Sequence, residues 1–160
     1  MTTITGSDLN DNLRGTSGTD TLYGLDGNDT LNGGAGNDTY VFGRGGQSDV
    51  IVNNDGVSTN DRLEFESGIG ADQLWFEQAG NNLRISIMGT SDRIDVQNWC
   101  LGGSSQIDAF QAGDGKVLTA GKVEQLRSAM AAFTPSPAFQ PELNSSQHQA
   151  LDLVLTASWQ

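Results

Sequence analysis

Four aspartates stand nine residues apart, Asp11, Asp20, Asp29 and Asp38, and each closes a short glycine-rich stretch. Glycines in a loop leave backbone carbonyls unshielded on one side. Carbonyls together with a carboxylate form the all-oxygen donor set that Ca²⁺ takes, six to eight ligands at about 2.3–2.6 Å. The charge distribution agrees with such a role. The 160-residue chain has 20 acidic and 8 basic side chains, a net charge of -12, and residues 1–61 hold nine Asp, no Glu and only Arg14 and Arg44. Asp without Glu suits tight loops, because the shorter side chain has less rotamer freedom to lose.

The spacing reflects an internal repeat, GSDLNDNLR (6–14), GTSGTDTLY (15–23), GLDGNDTLN (24–32) and GGAGNDTYV (33–41), with a gap-free period of nine. The first position is always Gly (Gly6, Gly15, Gly24, Gly33). The fourth is Gly18, Gly27 or Gly36, but Leu9 in the first copy, and the eighth is Leu13, Leu22, Leu31 or Tyr40. A polar linker has no reason to keep phase at four positions through four copies. The Asp-x-apolar-x triplets read as very short strands that alternate inward and outward. One nonapeptide cannot bury its apolar residue, but stacked copies line up Leu13, Leu22, Leu31 and Tyr40 as a narrow core. After Val41 the register slips: FGRGGQSDVIV (42–52) puts Asp49 eleven residues after Asp38, with Ile51 inward, as in a modified end repeat.

The remainder reads as a mostly β unit with helices. RLEFES (62–67), DQLWFEQ (72–78), LRISIM (83–88), RIDVQNW (93–99) and QIDAF (106–110) alternate or cluster apolar residues, and the breaks AGNN and GTSD favour hairpins. In AGKVEQLRSAMAAF (120–133) the period changes, and Val123, Leu126, Met130 and Phe133 share one helical face. TPSPAFQP (134–141) reads as a linker. SSQHQALDLVLTASW (145–159) offers a second helix with Leu151, Val154, Leu155 and Trp159 on its apolar face. The expected division is 1–61 as the repeat unit, 62–133 as a β-plus-helix unit against it, and 134–160 as linker and C-terminal helix.

Other chemistries are poorly served. The acidic balance opposes nucleic acid and anionic membranes. No apolar run reaches the roughly 18–20 residues of a membrane span. The single cysteine, Cys100, excludes an internal disulfide framework and reads as a small buried thiol beside Trp99. His148, the only histidine, reads as a surface helix residue, and Asp92 and Asp95 around Arg93 as an ordinary solvated face. Trp75, Phe76 and Trp99 are candidates to pack the joint between the two halves, the alternative being a separate core. The chain is not expected to be an enzyme.

The nonapeptide, with the stretches FGRGGQSDVI, GADQLWFEQAGNNLRISIMGTSDRIDVQNW, VEQLRSAMAAF and LVLTASWQ, resembles the C-terminal end of RTX (repeats-in-toxin) proteins exported by type I secretion. The resemblance implies a right-handed parallel β-roll with two nonapeptides per turn, capped by a β-rich C-terminal domain, and Ca²⁺ between loops one turn apart. It implies that a loop gives its second and fourth carbonyls and its Asp, and that the loop 18 residues on gives its first and third carbonyls and its Asp. One site then uses Thr16, Gly18 and Asp20 with Gly33, Ala35 and Asp38. A second uses Ser7, Leu9 and Asp11 with Gly24, Asp26 and Asp29, where Leu9 departs from the motif. In a third, Leu25, Gly27 and Asp29 face the slipped repeat from Gly43 to Asp49, which has Gly46 where an Asp is usual. Two to three ions are expected, with Asp20 and Asp38 as the leading pair.

The resemblance also implies a calcium-dependent folding and secretion module, disordered in the cell and ordered outside it, partnered by the type I apparatus and carrying an upstream effector. No cleaved N-terminal signal is expected, since MTTITGSDLN lacks its charged and apolar regions. An extracellular adhesive or polymer-binding module is the alternative, disfavoured by the few aromatics among residues 1–61 (Tyr23, Tyr40, Phe42).

Overall fold

The computed structural model describes residues 1–54, 60–132 and 145–160. One strand, β1, precedes the repeats, and each nonapeptide then yields one strand of three or four residues that starts at or just after its aspartate. These are β1 (Thr2–Thr5), β2 (Asn12–Arg14), β3 (Asp20–Tyr23), β4 (Thr30–Asn32) and β5 (Thr39–Phe42). Odd and even strands fall on opposite sheets, so residues 18 apart become neighbours. In one sheet Thr2 pairs with Asp20 and Leu22 with Tyr40, and in the other Leu13 pairs with Leu31, all in parallel register. Leu22, Leu31 and Tyr40 are fully buried between the sheets and Leu13 partly so. Each such side chain contributes roughly 1.5–3 kcal/mol.

The parallel ladders continue beyond the repeats. β6 (Ser48–Ile51) joins β4 with an offset of 20 residues, Thr30 opposite Val50, so the loop before it absorbs the two-residue slip. β7 (Arg62–Phe65) pairs with β5, and β11 (Ala109–Gln111) with β7, again in parallel. β10 (Arg93–Val96) extends the second sheet from β6, and β9 (Asn82–Ile87) and β8 (Leu74–Ala79) follow it as antiparallel hairpins. β12 (Val117–Thr119) folds back on β11. The result is two six-stranded sheets, each running from repeat strands into the second half of the chain. The boundary expected near residue 61 is therefore crossed by both.

Helix α1 (Ala120–Ala131) lays Val123, Leu126 and Met130 against the sheet edge, with the Phe76 N–H donating to Met130 Sδ. Phe133, the linker 134–141 and the middle of 53–61 lie outside the described residues. Helix α2 (Ser145–Ser158) buries Leu151 and Leu155, followed by buried Trp159. Its end is stitched to β12, where Val117 and Gln160 exchange two backbone hydrogen bonds. Phe76, Phe110, Trp99 and Trp159 form edge-on aromatic pairs at 5.6–6.0 Å. These rings and the Leu22–Leu31–Tyr40 stack belong to one buried cluster, so Trp75, Phe76 and Trp99 do not form a separate core.

Several expectations are corrected. Cys100 is exposed, because the strand ends at Val96 and residues 99–101 form a 3-10 turn that buries Trp99 and turns the thiol outward. Asp92 and Asp95 are each only 8% exposed. Asp95 sits opposite Arg84 across the β9–β10 hairpin and takes both prongs of its guanidinium at 2.8 and 2.9 Å. Asp92 accepts the Gly45 and Gln47 N–H groups at 3.0 and 3.1 Å, holding the slipped loop. The strand expected over 106–110 begins only at Ala109. His148 is exposed on α2 as expected.

Candidate calcium-binding loops

Stacking at 18-residue intervals brings the predicted loops into contact. A Cβ built at Gly36 would lie 2.5 Å from the Gly18 carbonyl oxygen, and one at Gly27 would lie 2.7 Å from that of Leu9. Both glycines have φ near +120°, where an L side chain is strained. The Ala35 N–H donates to the Thr16 carbonyl at 3.2 Å, and Gly33 and Gly34 press equally close to Gly15 and Thr16. Thus Thr16, Gly18 and Asp20 sit one turn beneath Gly33, Ala35 and Asp38. Ser7, Leu9 and Asp11 sit likewise beneath Gly24, Asp26 and Asp29. Leu9 leaves the backbone approach intact, its side chain pointing to solvent at 73% exposure.

The aspartates form two ladders. Asp11 N–H donates to Asp29 Oδ1 (2.8 Å), Asp29 N–H to Asp49 Oδ1 (2.8 Å), Asp20 N–H to Asp38 Oδ1 (2.9 Å) and Asp38 N–H to Asp61 Oδ1 (2.8 Å). Asparagines bond in the opposite sense: Asn10 Oδ1 accepts from Asn28 N–H, Asn28 Oδ1 from Ser48 N–H and Asn37 Oδ1 from Asn60 N–H. Asp20, Asp29, Asp38 and Asp49 are 0%, 1%, 1% and 2% exposed. Burial, with Asp29 and Asp92 nearby, pushes the Asp49 carboxyl up to about 7. Burial and then Asp11 raise Asp29. Asp20 is lowered instead, first by the Thr16 N–H that it accepts.

Two ladder residues escaped the sequence reading. Asp61 takes the Asp38 N–H and the Asn53 amide, and its own N–H donates to Asp108 Oδ2 at 2.9 Å. Neither Asp61 nor Asp108 keeps the nine-residue phase. The signal was the Asp-x-apolar triplet itself, Asp61-Arg62-Leu63 and Asp108-Ala109-Phe110. The third expected site is brought together in part. Asp29 meets Asp49, and a Cβ at Gly45 would lie 2.7 Å from Asp26 Oδ1, but Asp92, not a carboxylate at position 46, holds the slipped loop.

The donor set fits a hard cation. Asp20 Oδ1 and Asp29 Oδ2 are buried oxygens with no hydrogen-bond donor, a costly condition for a carboxylate unless a cation satisfies it. Around them stand backbone carbonyls from two loops. Among the described residues no three His, Cys, Asp or Glu side chains form a metal-holding group by themselves, so the oxygens available to an ion are largely main-chain, as Ca²⁺ accepts.

Comparison with known families places two matches on the chain. Residues 5–40 match the RTX calcium-binding nonapeptide repeat in four copies, and residues 82–121 match the haemolysin-type calcium binding protein related domain. The first covers the stacked loops, and the second covers β9 to the start of α1. The chain thus contains RTX hemolysin-type repeats that bind Ca²⁺, together with the related domain.

Proposed function

We propose that this chain is the calcium-dependent folding and type I secretion module of a larger RTX protein. In this reading residues 1–61 form a right-handed parallel β-roll, 62–133 cap its far end, and 134–160 carry the export signal. The stretches from FGRGGQSDVI to LVLTASWQ most resemble the last repeat block of adenylate cyclase toxin (hemolysin). At submicromolar calcium the chain is disordered and passes the type I apparatus, and outside the cell it folds. No catalysis is assigned.

The observation that carries this reading is the burial of Asp20 and Asp29 with one oxygen each left without a donor. Without a cation the charge of Asp29, whose carboxyl is raised first by burial, opposes the stacking that buries it, and the leucine core of the repeats is narrow. Binding only to the folded form adds RT ln(1+[L]/Kd) per ion. With Kd near 10⁻⁴ M and calcium near 1 mM that is roughly 1.4 kcal/mol per ion, and near zero at cytosolic levels. Two or three ions supply on the order of 3–4 kcal/mol, a large share of a small domain's stability. The adhesive alternative is weakened by Tyr40 and Phe42, which are buried and unable to stack on a sugar.

The test is far-UV circular dichroism with sedimentation velocity across a calcium titration, with magnesium as control. A coil-to-β change with compaction at about 0.1–1 mM calcium, absent with magnesium, is expected. A chain already folded in excess chelator overturns the switch.

A further inference from the structure

The four repeat loops do not share one conformation, although the motif treats them alike. In the third and fourth loops the second residue has positive φ, 75° at Leu25 and 94° at Gly34, as does the fourth, 121° at Gly27 and 119° at Gly36. In the first two loops none of the corresponding residues, Ser7, Leu9, Thr16 and Gly18, does so. There the second residue carries a hydroxyl. The Thr16 hydroxyl donates to Asp20 Oδ2 at 2.8 Å and accepts the Gly18 N–H at 3.1 Å, while the Thr16 N–H reaches the same carboxylate oxygen at 2.6 Å. Ser7 repeats the pattern: its hydroxyl donates to Asp11 Oδ2 at 2.9 Å and accepts the Leu9 N–H at 3.3 Å. Leu25 and Gly34 have no such group, and Asp29 Oδ2 in the third loop stands without a donor.

We infer that the hydroxyls of Thr16 and Ser7 are latches that close the first two loops on their own aspartates and set how tightly those loops hold calcium. The inference rests on calcium occupying the paired loops described above. The hydroxyl occupies Oδ2 of its own aspartate, the oxygen that at Asp29 in the open third loop has no donor. By taking the N–H of the fourth residue, it also keeps that residue out of the positive-φ conformation of the open loops. Each of the first two pairs of stacked loops contains one latched and one open member, 15–20 with 33–38 and 6–11 with 24–29. The binding-competent form of a latched pair is only fractionally populated, and apparent affinity falls by that fraction. The two latches act on different pairs, so their effects are separable.

The experiment is isothermal titration of calcium into the full chain and three variants, with the Gly18 amide followed by NMR at partial saturation. Thr16→Val removes the hydroxyl at nearly constant shape, and one class of sites is expected to bind about tenfold tighter. Thr16→Ser restores the hydroxyl and the wild-type affinity. Ser7→Ala, at an exposed position, gives the same gain at the other pair. The Gly18 amide resonance shifts in Thr16→Val and not in Thr16→Ser. Calcium binding at unchanged or weaker affinity in both Thr16→Val and Ser7→Ala overturns the latch alone, because the closed loops then follow from their place at the open end of the sheets. A wild-type chain that takes up no calcium overturns the latch together with the reading beneath it.

Discussion

Replacing Asp61 with alanine tests whether the second half of the chain completes the repeat ladder or merely lies against it. Asp61 Oδ1 takes the Asp38 N–H at 2.8 Å and Oδ2 takes the Asn53 amide at 2.9 Å. Asp38, Asn53 and Asp61 are 1%, 3% and 1% exposed, so water does not readily replace the lost acceptors. An orphaned buried N–H costs about 1–3 kcal/mol. The Asn53 amide keeps the Gln106 carbonyl at 3.1 Å and adds about 1 kcal/mol more. The expected loss is about 2–4 kcal/mol, or roughly 6–12 °C in Tm for a chain of this size. Asp61→Asn keeps Oδ1 for the Asp38 N–H and sets only an amide against the Asn53 amide, so it loses about 1 kcal/mol. Urea unfolding in saturating calcium, followed by the fluorescence of buried Trp75 and Trp99, reads both variants. Equal losses in the two, or an Asp61→Ala midpoint that returns to wild type as calcium is raised, would refute the reasoning. In the second case the carboxylate would act on the ion and not on the N–H.

Four further outcomes follow from the geometry. Gly36→Ala puts a methyl 2.5 Å from the Gly18 carbonyl at a φ of 119° and is expected to lose at least about 2 kcal/mol. Gly121→Ala, with open space around its Cβ in α1, gains up to about 1 kcal/mol, and denaturant midpoints that move alike would contradict this. The Tyr23 hydroxyl donates to Glu66, and burial, then Glu66 and Asp26, push the phenol up to about 12. The fold therefore favours the neutral phenol. Its contribution is complete below pH 10, fades as pH rises toward 12, and is missing from the base-unfolding profile of Tyr23→Phe. A double-mutant cycle on Arg84 and Asp95 is expected to give a coupling of about 1 kcal/mol, since the pair is bidentate and mostly buried, and a coupling near zero would show that the hairpin does not need it.

The repeat half was legible because its constraint is periodic. A glycine where two backbones meet, an aspartate at the turn and a leucine in the core recur every nine residues, and the strands appear where that phase puts them. Legibility ended where phase did. Asp61 and Asp108 serve the same ladder at separations of 23 and 47 residues, set by insertions whose lengths no local rule fixes. The fate of Cys100 and of Asp92 and Asp95 depended on where one strand stops and which loop a hairpin meets, both of them tertiary facts. The four copies also hide the difference between closed and open loops, because they fill the second position with four different residues, and only the side chain's reach to Asp20 or Asp11 separates Thr16 and Ser7 from Leu25 and Gly34.

The ladders have a direction, and this bears on how the two halves depend on each other. Each aspartate gives a carboxylate oxygen to the N–H of the turn before it, so Asp20 relies on Asp38, Asp38 on Asp61 and Asp61 on Asp108. At the start of that ladder the Thr2 N–H goes to the Thr19 carbonyl and Asp20 Oδ1 has no donor, which leaves only an acceptor that a cation satisfies. Losing a later turn instead strands a buried N–H, which no cation satisfies. Calcium can therefore compensate for damage at the first turn but not at the last. The residues that supply the last acceptors, Asp61 and Asp108, stand outside residues 5–40, the stretch that matches the repeat. The repeats bring the calcium chemistry, and the second half closes a hydrogen-bond deficit that every parallel stack of this kind carries at one end.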